Sequence, residues 1–502
     1  MKRRHFLKLA AGTSASFSFT GFSLIQGLPP VSAAEAQMPA LTPTLHPELI
    51  PLVRLLEDTP RERVLEEVGS QLRKGTSYRE LLGALLLAGV RNVEPRPIGF
   101  KFHAVLVVHA AHLASLASPD SDRWLPIFWA IDSFKASQAA DVREGNWTMG
   151  PVNEGAVPPS HKARQALIDA LEHWDESAAD AAITGLVRTA GAHEIYDLLA
   201  RYGARDFREI GHKEIYVANC FRTLEVIGWH HAEPVLRSLV YGLLDRVGDK
   251  NPAKSDLPAD RPFRRNVELI KTIRSGWLDG KPSSDATKEM LRTLREGSAK
   301  DAAEKAVELL NRGTSPLSLF EACFAAAGEF VMRAPGIVSM HAITFTNATH
   351  YSWQHTRDED TRKLLLLQNA AFLPLFRGTS KDKGIYIDQL EGISPSAAGP
   401  EAVEEMLREL GPGDRLTGSR KILGYLNAGG PPKPLIDAAR RLIFLKGRDN
   451  HDYKFSAAVW EDFQSLSPQI RDRFLAASSF HWRGGQESDN ELMPRARAAL
   501  QG

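Results

Sequence analysis

The chain has 502 residues, 62 lysines and arginines against 61 acids, and an apolar fraction of 43%, ordinary values for a globular protein long enough for more than one domain. A formal charge of +1 leaves no basic footprint for nucleic acid. With only Cys220 and Cys323 and no Cys-x-x-Cys, a thiolate zinc site is excluded and at most one disulfide can form.

The N-terminus reads as an export signal. Lys2, Arg3 and Arg4 form a twin-arginine start followed by Phe6-Leu7-Lys8, a weakly apolar run to Leu28, and small residues at Val31-Ser32-Ala33 or Ala34-Glu35-Ala36 for cleavage. Gly12, Gly21 and Gly27 make the run too polar for a stable membrane span. The expected partner is the twin-arginine export machinery and the expected location the periplasm or another exported compartment. The leader holds four of the positive charges and no acid before residue 34, so its removal takes the chain from +1 to −3.

Residues 34–60 are Pro-rich and read as a linker or N-terminal arm. From Arg61 the pattern is helical: Val64, Leu65, Val68 and Leu72 keep i, i+3, i+4 spacing, Gly75 stops the helix and Ser77 caps the next, Tyr78 to Val90. Glu94-Pro95-Arg96-Pro97 is a rigid loop. His103 to Ala117 and Asp122 to Gln138 read as apolar helices, residues 145–159 as an irregular connection, and helices resume through Gly211 to Leu224 and Val235 to Leu244. Sustained period-2 runs are missing. The fold class is therefore all-α.

A shift of 238 positions lays residues 75–134 on 313–372 with fifteen identities in sixty ungapped positions, among them Gly75-Thr76-Ser77 on Gly313-Thr314-Ser315, His103 on His341 and His112 on His350. Near the ends of the two copies His212 falls on His451 at an offset of 239. Such self-similarity implies two pseudo-equivalent helical halves, a helical-repeat-like duplication: 1–33 signal peptide, 34–60 arm, 61–246 first half, 247–297 connecting segment, 298–502 second half.

His109 and His112 stand i, i+3 on one helix, and Asn347 and His350 take those places in the second copy. Two such helices meeting across a pseudo-twofold axis bring these residues to one interior locus, with His212 and His451 completing a symmetrical set. The candidate catalytic residues are thus His109, His112, His350, His212 and His451, and the candidate metal ligands His112 and His350. Each is weighed against the blander role of a satisfied core imidazole. His103 and His341, six residues before His109 and Asn347, point elsewhere on a continuous helix and read as anchors of the helix start. Glu209-x-x-His212 has the spacing of di-iron carboxylate bundles but Arg448 replaces the acid in the second copy, and His451-Asp452 is a doublet without its further partners. No nucleophile elbow or dinucleotide fingerprint is present.

The stretches His103-Ala-Val-Leu-Val-Val-His109 with Asp122-Arg123-Trp124-Leu125, His341-Ala-Ile-Thr-x-x-Asn347-Ala348, and His451-x-x-Lys454 resemble the questin oxidase-like family. The resemblance covers about residues 75–140 and 313–460. It implies an all-helical oxygenase that draws electrons from reduced nicotinamide (NADPH), although an exported protein sits poorly with that electron source. No residue role carries over. The sequence thus predicts an exported, oxidoreductase-like enzyme with a histidine-lined internal pocket, metal- or cofactor-dependent, oxygenating a small organic substrate. The alternative is a non-catalytic helical scaffold or partner-binding protein.

Overall fold

Gly75-Thr76-Ser77 does in the first half what Gly313-Thr314-Ser315 does in the second. Both glycines take left-handed φ angles, +103° and +90°. Both close the preceding helix with the same paired bonds, Gly75 N to Leu72 O and Thr76 N to Gln71 O, Gly313 N to Leu310 O and Thr314 N to Leu309 O. Ser77 and Ser315 then cap the following helices, accepting from Glu80 N and Leu317 N.

The computed structural model describes residues 48–244, 250–377, 384–410 and 414–501. The expected signal peptide over 1–33 and most of the expected arm lie outside the described residues. The chain runs through α1 (Ile50–Asp58), α2 (Arg61–Arg73), α3 (Tyr78–Asn92), α4 (His103–Leu106), α5 (Val108–Ala117), α6 (Leu125–Glu144), α7 (Ser160–His173), α8 (Glu176–Val187), α9 (Ala192–Gly203), α10 (His212–Ile227) and α11 (Ala232–Leu243). After α12 (Arg261–Leu269) come α13 (Ser284–Glu296), α14 (Ala299–Asn311), α15 (Pro316–Arg333), α16 (Ile337–His355), α17 (Glu359–Arg377), α18 (Gly399–Glu409), α19 (Arg415–Asn427), α20 (Pro432–Lys446), α21 (Asn450–Ser465), α22 (Pro468–Ser478) and α23 (Leu492–Gln501). No strand occurs among the described residues, so the protein is all-α as expected. No single helix among them is long and apolar enough to cross a membrane.

Three helix starts recur at the offset of the sequence match. Arg61, Tyr78 and Glu176 open α2, α3 and α8; Ala299, Pro316 and Arg415, 238 or 239 positions later, open α14, α15 and α19. The connecting segment expected over 247–297 carries two helices of its own. Of these, α13 packs on α15 as α1 packs on α3, with Leu52, Val53 and Leu56 of α1 buried. The trailing helices exchange sides. α12 crosses to α14 and α17, where Asn266 donates to Gln368 Oε1 at 2.8 Å, and α23 returns to α2 and α6. A Cβ on Gly69 would lie 2.1 Å from Ala499 O, so only glycine lets α23 come this close.

At the centre, α10 packs on α16, α16 on α21, and α21 on α5. The segment entering α5 bends by 45° at Val107, separating α4 from α5. Along α16, nearly every residue from Ser339 to His350 is buried, so its whole circumference is interior.

One group of buried charge in the second half is closely paired. Glu329 of α15 is fully buried and takes Arg295 at 2.5 Å, Arg333 at 2.6 Å and the Ile387 N–H at 3.0 Å. Removing one member of such a group leaves desolvated charge behind. Glu329→Ala is expected to cost about 3–5 kcal/mol, read as a lower urea midpoint at unchanged m-value.

Candidate metal centre

Four histidines, His103, His212, His341 and His451, bring one ring nitrogen each to within 4.8 Å of one another. They come from the starts of four central helices, α4, α10, α16 and α21. His212 sits between two of its partners, its Nε2 2.9 Å from His103 Nε2 and 2.9 Å from His341 Nε2. His451 closes the group, its ring centroid 4.3 Å from that of His103 and 5.3 Å from that of His341.

The other nitrogen of each ring is committed. His103 Nδ1 donates to Phe100 O at 2.8 Å, His212 Nδ1 to Glu209 O at 2.5 Å, and His341 Nδ1 to Ile337 O at 2.7 Å. His451 Nδ1 lies 2.6 Å from Asp449 Oδ1. A carbonyl oxygen only accepts, so the first three rings carry their proton on Nδ1 and present a lone pair at Nε2. His451 has a carboxylate in the same role, and its Nε2 has no hydrogen-bond partner. Burial drives the pKa of His103, His212 and His341 well below the ordinary range, with the Lys454 ammonium or a neighbouring imidazole adding to it. Convergent lone pairs of this kind call for a cation.

The backbone is held to this arrangement at a cost. Phe100, whose carbonyl receives His103, has φ +53°; Glu209 and Ile210, before His212, have +55° and +47°, and Gly211 has +84°. A non-glycine residue in that region costs of order 1 kcal/mol. On Gly211 a Cβ would meet the Phe345 ring at 2.4 Å, so only glycine brings α10 this close to α16.

The sequence-based set divides. His212 and His451 belong to the cluster. His109 and Asn347 line a second place, a small cavity of ≈ 20 Å³ shared with Arg222, Lys454 and Glu461. That space is about enough for one water molecule. Arg222 pairs with Glu461 at 2.5 Å and donates to Asn347 Oδ1 at 3.1 Å. Lys454 is fully buried with no partner for Nζ, and burial lowers its pKa to about 7.

The metal assignment to His112 and His350 is corrected. Both rings turn outward from the central helices: His112 Nδ1 meets Tyr78 Oη at 3.0 Å, and His350 packs among Phe320, Phe324 and Trp353 with centroid distances of 4.8, 5.3 and 6.1 Å. Neither belongs to the four-histidine group. The residues missed are His103 and His341, set aside as helix anchors. Their repetition at matched positions was the available signal. Asp452 serves Arg483, at 2.6 Å, rather than the cluster. Cys220 and Cys323 are both free and buried.

His451 is the member nearest solvent, its side chain 12% exposed. It opens into a cleft of ≈ 320 Å³ whose walls include Ile337, Met340, Arg415, His481 and Trp482. No protein-family model, curated protein or solved structure matches the chain.

Two outcomes follow from this geometry. Asp449→Ala, which frees His451 Nδ1, is expected to weaken divalent-metal affinity about 10–100-fold in competition with a chromophoric chelator, whereas His112→Leu leaves it unchanged. Burial holds the His350 pKa at about 4. Its folded value is depressed, so the unfolded chain takes up the proton first, and stability present above pH ~6.5 is lost as pH falls towards ~4, by roughly 1.4 kcal/mol per unit. His350→Leu should flatten the fall in urea midpoint across that window.

Proposed function

We propose that the protein is a metal-dependent oxidoreductase acting on a small organic molecule, with one divalent transition-metal ion held by His103, His212, His341 and His451. The observation that carries this reading is the common tautomer: every Nδ1 is engaged by an oxygen and every Nε2 points inward. Oxygen acceptors behind the rings fix ring orientation and raise ligand basicity at protein metal sites.

The donor set narrows the metal. Imidazole suits zinc, copper, iron and nickel, whereas calcium and magnesium take oxygen. Nitrogens about 2.05 Å from a shared ion stand about 2.9 Å apart at a right angle but about 3.3 Å apart at the tetrahedral angle. The spacings of 2.9 Å on either side of His212 fall within the span of two nitrogens on one ion. Neutral imidazoles add no charge to offset the ion, and no carboxylate belongs to the group among the described residues. A dry site of this composition favours the lower oxidation state of a redox metal, which suits electron transfer or oxygen chemistry.

The chain's own residues supply the rest. Asp449 orients His451, the cleft admits a substrate to that face, and the packed helices keep bulk water from the other three rings. The resemblance to the questin oxidase-like family adds oxygenation as the reaction. A purely structural role for the histidines would leave the facing Nε2 lone pairs without a purpose.

Elemental analysis of the purified full-length chain tests the reading. About one redox-active metal per chain is expected, lost in the His103→Ala/His341→Ala double variant. Metal at background level, together with no cobalt(II) d–d bands on titration, would sink it.

A further inference from the structure

The cleft at His451 carries a cation that nothing in the fold uses up. Its acidic groups are spoken for. Asp452 and Glu487 hold Arg483 at 2.6 and 3.3 Å, and Asp449 holds His451 Nδ1 at 2.6 Å. His481 is kept neutral at ordinary pH, its pKa near 4 through burial and then the adjacent Arg415 and Arg483 charges. Arg415, at the start of α19, is different. Its Nη1 donates to Phe480 O, and no carboxylate lies within ion-pair range of it among the described residues. Other arginines bordering buried ground here, such as Arg295 and Arg237, are held in bidentate fashion by carboxylates.

A guanidinium with one edge fastened to a carbonyl and the rest open is a fixed fork that matches a carboxylate. The opposite wall is apolar: Trp482 and Met340 are almost buried, while Ile337 is 56% exposed. A volume of ≈ 320 Å³ lies at the lower end of small-molecule sites. Arg483 is held by Asp452 and Glu487, which leaves Arg415 as the anion's partner in the cleft.

We propose that this cleft binds a small organic carboxylate, its anionic group on Arg415 and its apolar body against Trp482, Met340 and Ile337, so that its far end is presented to His451. The assignment names the substrate class for the centre described above and rests on that reading for its chemistry, but the binding step itself needs no metal.

Benzoate and its neutral isostere benzamide are the probes, titrated by calorimetry into the full-length protein with metal bound and after chelator treatment. Benzoate should bind in both states, and benzamide at least about tenfold more weakly. Arg415→Met should lose benzoate binding by a similar factor, Arg415→Lys should retain part of it, and metal content should not change in either variant. Equal affinity for the two probes, or benzoate binding untouched in Arg415→Met, overturns the proposal. So does inorganic phosphate displacing benzoate at equal concentration, which would make the site a general anion fork. Benzoate binding that survives Arg415→Met but disappears with the metal places the anion on the ion, overturning Arg415 while supporting the metal centre. Arg415-dependent binding in a protein that takes up no metal keeps this proposal and removes the other.

Discussion

Everything at the centre of this protein turns on where four protons sit. A neutral imidazole has one N–H and one lone pair, and which nitrogen holds which is decided by what the ring can donate to. Three backbone carbonyls and one carboxylate claim Nδ1 of His103, His212, His341 and His451. That choice turns four lone pairs toward one another, and burial resists protonation of His103, His212 and His341. Had any of these acceptors been an N–H, the ring would flip its tautomer and the pocket would present a donor there instead. The oxygen atoms behind the rings therefore define the site as much as the rings themselves.

Placing those oxygens takes unusual backbone. A backbone carbonyl has two lone pairs, so one that already accepts from an N–H can still take a ring. All four histidines lie within the first five residues of their helices, and the acceptors Phe100, Glu209, Ile337 and Asp449 all precede them. In the first half, left-handed residues deliver the carbonyl. In the second, Ile337 lies in the first turn of α16, and Asp449 uses its side chain from the N-cap. Equivalent rings are held by different means, a pattern expected where ring placement is constrained and the local route to it is not.

Much of this was legible in the chain. The helices show in their 3.6-residue period, and Gly-Thr-Ser marks the same stop-and-cap in both halves because only glycine takes the left-handed turn cheaply. His212 and His451 were identified by their matched offsets. The error over His103 and His341 came from wheel geometry applied to a helix with one buried face. On α16 nearly the whole circumference is interior, so a residue turned away from Asn347 still points into protein. In the first half the bend at Val107 breaks the wheel between His103 and His109 altogether. His112 and His350 misled for the opposite reason: their repetition records packing against α3 and α15, which also recurs. The left-handed run before His212 has no sequence signature beyond Gly211, since Glu209 and Ile210 adopt that conformation only because the surrounding fold imposes it.

The stripes of α10 and α21 that begin at His212 and His451 run in register. His212, Ile215, Asn219 and Arg222 follow one another along α10 at the same intervals as His451, Lys454, Ala458 and Glu461 along α21, and Ile215, Asn219, Arg222, Lys454, Ala458 and Glu461 all line the small cavity. The positions match but the chemistry does not. Arginine meets glutamate at the far end, where the Arg222–Glu461 pair closes at 2.5 Å with the guanidinium almost wholly buried. Ten residues of helix put that contact about 15 Å from the histidines. A pair of like residues there would repel, splay the two helices and open the distance between the rings they carry. The divergence of two matched positions into opposite charges thus links α10 to α21 at the end of the stripes away from His212 and His451.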